Sequence, residues 1–164
     1  MRPVRVLRAA AALALCVVAP LAAAQGIKLS EAWMRPAFQG QPTASVYVDI
    51  HSSEALRLVG ARSPLASRAE IIVAEIGEPD PSKYKVVKEL PVAANGETRL
   101  AYLGNHLRLH GIKRDLKPGE KFPLTLVFVG TDGKQRTAST EALIRGLSAK
   151  RPDPAEQPAP APKK

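Results

Sequence analysis

Two of the chain's three histidines, His106 and His110, fall in one short stretch running from Asn105 to Glu120, and the third is His51. The stretch reads as a strand, a turn and the start of another strand. Residues i, i+2 and i+4 of a strand share a face, so His106, Arg108 and His110 line one side while Leu107 and Leu109 face the other. At ~3.3 Å per residue the two histidines stand ~13 Å apart, and Arg108 lies ~6.6 Å from each. Metal–imidazole bonds are only ~2 Å long. One ion is therefore shared by both rings only if a bulge or bend near Gly111 draws them together. A soft ion such as copper(I) prefers thioether, thiolate and imidazole donors. Apart from its first residues the chain offers Met34, three histidines and no cysteine. Arg108 adds a fixed positive charge between the histidines, which repels a cation. On chemistry alone, polar histidines on a strand surface are favoured over a metal site.

No other constellation of catalytic type stands out. There is no G-x-S-x-G elbow and no Gly-rich phosphate loop. The carboxylates Asp49, Glu70, Glu75 and Glu89 are scattered. Glu70 and Glu75 lie an odd number of residues apart, so a strand through both would point them to opposite faces. The expectation is a protein that is not an enzyme. Trp33 is expected to anchor the core at the first strand.

These residues must be positioned by an all-β scaffold. Val46, Val48 and Ile50 alternate with Tyr47, Asp49 and His51, which marks a strand with one apolar face. Further strands are expected at Leu56–Ala61, Ala69–Ile76, Tyr84–Leu90, Thr98–Leu103, Leu107–Ile112, Phe122–Val129 and Arg136–Thr140. Ala94-Asn95-Gly96 and Thr131-Asp132-Gly133-Lys134 supply turns. Glu141–Leu147 fits either a helical turn or a last strand. Seven or eight short strands without a long helical pattern predict an antiparallel β-sandwich, with a barrel as the alternative.

The ends read differently. Arg2, Arg5 and Arg8 precede an apolar run from Ala9 to Leu21 and the small-residue site Ala22-Ala23-Ala24, a signal peptide cleaved before Gln25. The run falls short of the ~20 apolar residues of a transmembrane helix, so no span is expected in the mature chain. Lipidation at Cys16 is the rival processing, although Leu13-Ala14-Leu15 fits it loosely. Residues 25–148 form the domain, and residues 149–164 form a Pro/Ala-rich tail of polyproline character without a core. Residues 1–24 carry three arginines and no acids, so the net charge of +9 falls to +6 in the mature chain. That charge suits solubility at anionic surfaces. The aromatic-basic interleaving of single-strand nucleic-acid binders is missing. The loss of Cys16 leaves the mature chain free of disulfides.

With these residues laid out, the chain resembles the periplasmic copper chaperone family written PCu(A)C. The likeness runs from about Leu29 to Thr140. It rests on Glu31-Ala32-Trp33-Met34-Arg35-Pro36, Thr43-Ala44-Ser45-Val46-Tyr47-Val48, Leu58-Val59-Gly60-Ala61-Arg62-Ser63-Pro64 and Ser67-Arg68-Ala69-Glu70-Ile71. Its most specific part is His110-Gly111-Ile112-Lys113-Arg114-Asp115-Leu116-Lys117-Pro118-Gly119-Glu120 with Phe122-Pro123-Leu124-Thr125-Leu126, similar to the family's G-L-K-x-x-L-K-x-G-x-x-F-P-L-T-L. The resemblance implies a cupredoxin-like β-sandwich, copper as cargo, a periplasmic location, and delivery to an acceptor in respiratory oxidase assembly. It also implies a ligand set of two His and two Met spaced H-x10-M-x21-H-x-M. On this chain those positions fall at Ile72 by local match or Val73 by strict counting, then Tyr84, His106 and Arg108. Of the four, His106 alone keeps the family's residue, with His110 as a helper and His51 or Met34 as substitutes in a remodelled site. A metal-free adaptor for a periplasmic protein partner is the competing reading.

Overall fold

The computed structural model describes residues 26–74 and 84–146. The expected signal peptide, Cys16, the proline-rich tail, and Glu75 and Ile76 of the expected fourth strand lie outside the described residues. Ten strands follow one another: β1 Ile27–Met34, β2 Thr43–Ser52, β3 Leu56–Arg62, β4 Arg68–Ala74, β5 Tyr84–Val87, β6 Leu90–Val92, β7 Gly96–Leu100, β8 His106–His110, β9 Lys121–Gly130 and β10 Gln135–Ile144. No helix occurs among the described residues.

The strands form one continuous sheet in the order β5-β4-β8-β2-β1-β10-β9-β3-β6, with β7 paired to the remaining length of β2. β3 lies near one end of this order and β4 near the other, yet only Ser63–Ser67 separates them in the chain. The sheet therefore wraps on itself, a nearly closed, barrel-like form of the expected β-sandwich. Its ladders are antiparallel except one: β1 and β10 run parallel, through Trp33↔Leu143 and Met34↔Ile144.

Period-2 alternation produces the core. Val46, Val48 and Ile50 of β2, Leu107 and Leu109 of β8, and Phe122, Leu124, Leu126 and Phe128 of β9 all point into one hydrophobic cluster. Phe122 and Phe128 are among its largest fully buried side chains, and each such group contributes about 1.5–3 kcal/mol. Met34 is fully buried in that cluster, whereas its neighbour Trp33 is half-buried and faces outward. Alternation explains the correction: one residue's step along β1 separates the two faces, and the thioether took the inner one. Two other expectations change. Tyr84–Leu90 divides into β5, which pairs with β4, and β6, which pairs with β3. The expected Thr98–Leu103 strand ends at Leu100, because Ala101–Asn105 turns back with Leu103 in the left-handed region at φ +65°. Glu141–Ile144 simply extends β10.

Candidate functional site

His106 opens β8, and Leu107 beside it pairs with Val46 on β2 and Ile71 on β4. Those ladders hold β8 centrally, with the leucines inward and His106 on the outer face. His106 is only 4% exposed. Its cover is aromatic: the Tyr84 ring lies edge-on at 5.3 Å between centroids, and Tyr47 is at 6.2 Å. Tyr47 packs in turn on Trp33 at 4.5 Å and on Tyr102 at 6.1 Å. The chain's only Trp and all three of its Tyr thus gather around one histidine. Two arginines close the cluster, Arg35 over Tyr102 at 4.5 Å and Arg145 over Trp33 at 5.2 Å. Such contacts contribute about 0.5–2 kcal/mol each.

The electrostatics keep the imidazole neutral. Burial pushes the His106 pKa below its ordinary value, the Arg108 charge acts in the same direction, and the bond to the Gly104 carbonyl opposes both. His106 Nδ1 lies 2.9 Å from that carbonyl oxygen and donates to it. In the neutral ring this leaves the lone pair on Nε2, the atom a metal would use. Burial also raises the Tyr47 pKa, so its phenol stays protonated at neutral pH.

The four positions marked by the family spacing come together here. Ile72 is the cross-strand partner of His106 and is fully buried outside the main core cluster. Tyr84 touches the imidazole edge. Arg108 follows two residues along the same face, opposite Ser45 and Glu70. Val73, the position reached by strict counting, packs against the core instead, so the local match to Ile72 is the one that shares the histidine's face. Ile, Tyr and Arg bring no soft donor. Among the described residues no group of three or more His, Cys, Asp or Glu is arranged to hold a metal ion.

The other named residues lie elsewhere. His110 Nε2 donates to Glu70 Oε2 at 2.8 Å, and its Nδ1 lies 3.2 Å from Arg68 Nη2. Both ring nitrogens are therefore engaged, and Arg68 also binds Glu70. The Arg68 and His110 contacts pull the Glu70 pKa down. His51 sits four residues along β2 from Tyr47, ~13 Å away, beside Glu97, its cross-strand partner. Met34 is on the core face, opposite to His106. Trp33, Tyr47 and Tyr102 were not singled out from sequence as parts of the site. The signal was present in the alternation, which places Tyr47 opposite the apolar face of its strand.

A family model described as "Putative lipoprotein LpqE-like" matches residues 27–139, most of the chain. The chain belongs to the LpqE-like family. A curated relative, "Putative lipoprotein Lxx21020" of Leifsonia xyli subsp. xyli (strain CTCB07), is 32% identical over 107 residues. That match covers 64% of this chain and 63% of the relative, so the chain spans less than two thirds of the relative's length. Among solved structures, the "Copper-bound PCuAC domain from PmoF2" superposes with a TM-score of 0.57 at 20% identity, over 74% of this chain and 93% of that domain. The "Solution structure of CuI-DR1885" from Deinococcus radiodurans gives 0.51 at 27% identity, over 76% and 83%. This LpqE-like chain has the PCuAC fold, as the sequence resemblance implied.

Proposed function

We propose that this LpqE-like protein is an exported, non-enzymatic copper-handling protein in which His106 makes the principal contact to copper through Nε2. The observation that carries the proposal is the state of His106: neutral, ringed by aromatics, and with Nδ1 committed to the Gly104 carbonyl. The likeness to a Cu(I)-bound structure at 27% identity supports copper as the cargo. The ligand set is degenerate in this reading, because Ile72, Tyr84 and Arg108 replace three soft ligands. Copper is then held weakly and released readily, which suits passage to a periplasmic acceptor such as an oxidase-assembly protein. His110 joins only if its contacts to Glu70 and Arg68 open. Processing before Gln25 or at Cys16 accompanies export, and the lipoprotein names of the family and the relative support an exported chain. Mass spectrometry of the mature protein separates the two routes.

The aromatic cluster supports a second reading, a metal-free adaptor whose ring-and-arginine face holds a protein partner. A copper(I) competition titration on the chain from Gln25, with His106→Ala beside it, decides between them. Copper handling requires stoichiometric binding that weakens by at least tenfold in the variant. Binding at the level of scattered surface histidines, unchanged by the substitution, overturns it.

A further inference from the structure

Which nitrogen of His106 is free is decided by the turn before it. The Gly104 carbonyl can only accept, so Nδ1 must carry the proton. The carbonyl is held in place by a compact turn: Ala101 N–H donates to the Asn105 carbonyl at 2.8 Å and Gly104 N–H to the Ala101 carbonyl at 3.0 Å. Leu103 adopts φ +65° inside it and is 47% exposed. A leucine in this conformation is strained and persists only when surrounding contacts impose it. One side chain ties the turn to the sheet from outside. Asn105 Oδ1 accepts the Ala74 N–H at 3.1 Å. It does so where the β4–β8 ladder stops, since Ile72↔His106 is the last pair. The amide side chain continues the ladder by one bond.

We propose that Asn105 is a positioning residue: by fastening the Ala101–Asn105 turn to β4 it holds the Gly104 carbonyl against Nδ1 and locks His106 in the tautomer that leaves Nε2 unprotonated. A free imidazole in water exchanges between tautomers, and a ligating histidine is fixed by what its other nitrogen donates to. The sequence supplies both parts of this arrangement next to the histidine itself, as Gly104 and Asn105. The inference deepens the copper reading, yet the tautomer exists without metal and is measured without it.

The test is long-range 15N–1H NMR on histidine-labelled, metal-free protein at pH 8. His106 in the unaltered chain is expected to show a protonated Nδ1 and a bare Nε2, while His51 averages. Asn105→Ala is expected to move both His106 nitrogen shifts toward averaged values, and Asn105→Asp to restore them, since a carboxylate accepts the same N–H. Asn105→Leu, of similar size and without an acceptor, replaces Asn105→Ala if that variant does not fold. A bare Nδ1 in the unaltered chain, or a fully locked ring in the folded Ala or Leu variant, overturns the inference. Copper(I) affinity measured on the same samples is expected to fall on the order of tenfold with the loss of the lock. A locked tautomer with no copper bound would remove the copper reading and leave this one standing.

Discussion

Neutralising Arg108 should tighten copper binding. Arg108 is half-buried on the face of His106, two residues along β8, and its charge adds to burial in depressing the imidazole pKa. Glu70 lies opposite it, but that carboxylate is bound to Arg68 and His110. A monovalent cation at His106 would sit ~6.6 Å from the Arg108 position by strand rise. With an effective dielectric of about 20, the repulsion at that distance is about 2.5 kcal/mol. Exposure of the guanidinium to water and the nearby Glu70 reduce this by half or more, to about 1 kcal/mol. Arg108→Gln removes the charge without adding a soft donor, so its copper(I) dissociation constant should fall roughly five- to tenfold. Arg108→Met should tighten binding further, because it adds a thioether beside the imidazole. Competition against a chromophoric copper(I) chelator at fixed ionic strength reads both. If Arg108→Gln binds within twofold of the unaltered protein, copper does not sit in the field of Arg108, and the assignment to His106 is wrong.

Three further outcomes follow from the same geometry. The His106 pKa is lowered by burial from 6.5, so its neutral state contributes full stability above that value, and the contribution is lost as pH falls below it toward the folded pKa. His106→Phe should therefore show a smaller drop in Tm between pH 7.5 and 5.5 than the unaltered protein, and equal drops would contradict the burial argument. Met34→Ala should cost about 2–5 kcal/mol in urea unfolding, while leaving the copper affinity of the folded protein unchanged, because Met34 faces the core; a tenfold loss would point to a remodelled site. His110→Ala should leave copper affinity within about twofold, since Glu70 and Arg68 already engage both ring nitrogens.

Much of the fold was readable from side-chain alternation. Val46, Val48 and Ile50 face the core as expected, and Leu107 and Leu109 turn away from the face of His106, Arg108 and His110. Alternation could not show which strands are neighbours. The parallel β1–β10 pair and the division of Tyr84–Leu90 between β4 and β3 arise from tertiary pairing. Trp33 and Met34 show the limit most plainly. Both are apolar, and local pattern did not decide which of them the core would take. At the site, the ring cluster joins β1 and β2, which are neighbours in sequence, to β5 and the Tyr102 turn, which come from far along the chain and meet them only through the β5-β4-β8-β2-β1 order of the sheet. The β4–β8 and β4–β5 ladders give Ile72 and Tyr84 their place beside His106, which spacing alone could indicate only through the family pattern.

The copper reading places the ion at Nε2 of His106. It is tested most directly by adding one equivalent of copper(I) to histidine-labelled protein and following all six imidazole nitrogens by NMR. A large shift is expected at Nε2 of His106, with an Nδ1 that keeps its proton and rings of His51 and His110 that do not move. Small shifts spread across all three histidines, or copper bound with His106 undisturbed, would contradict it.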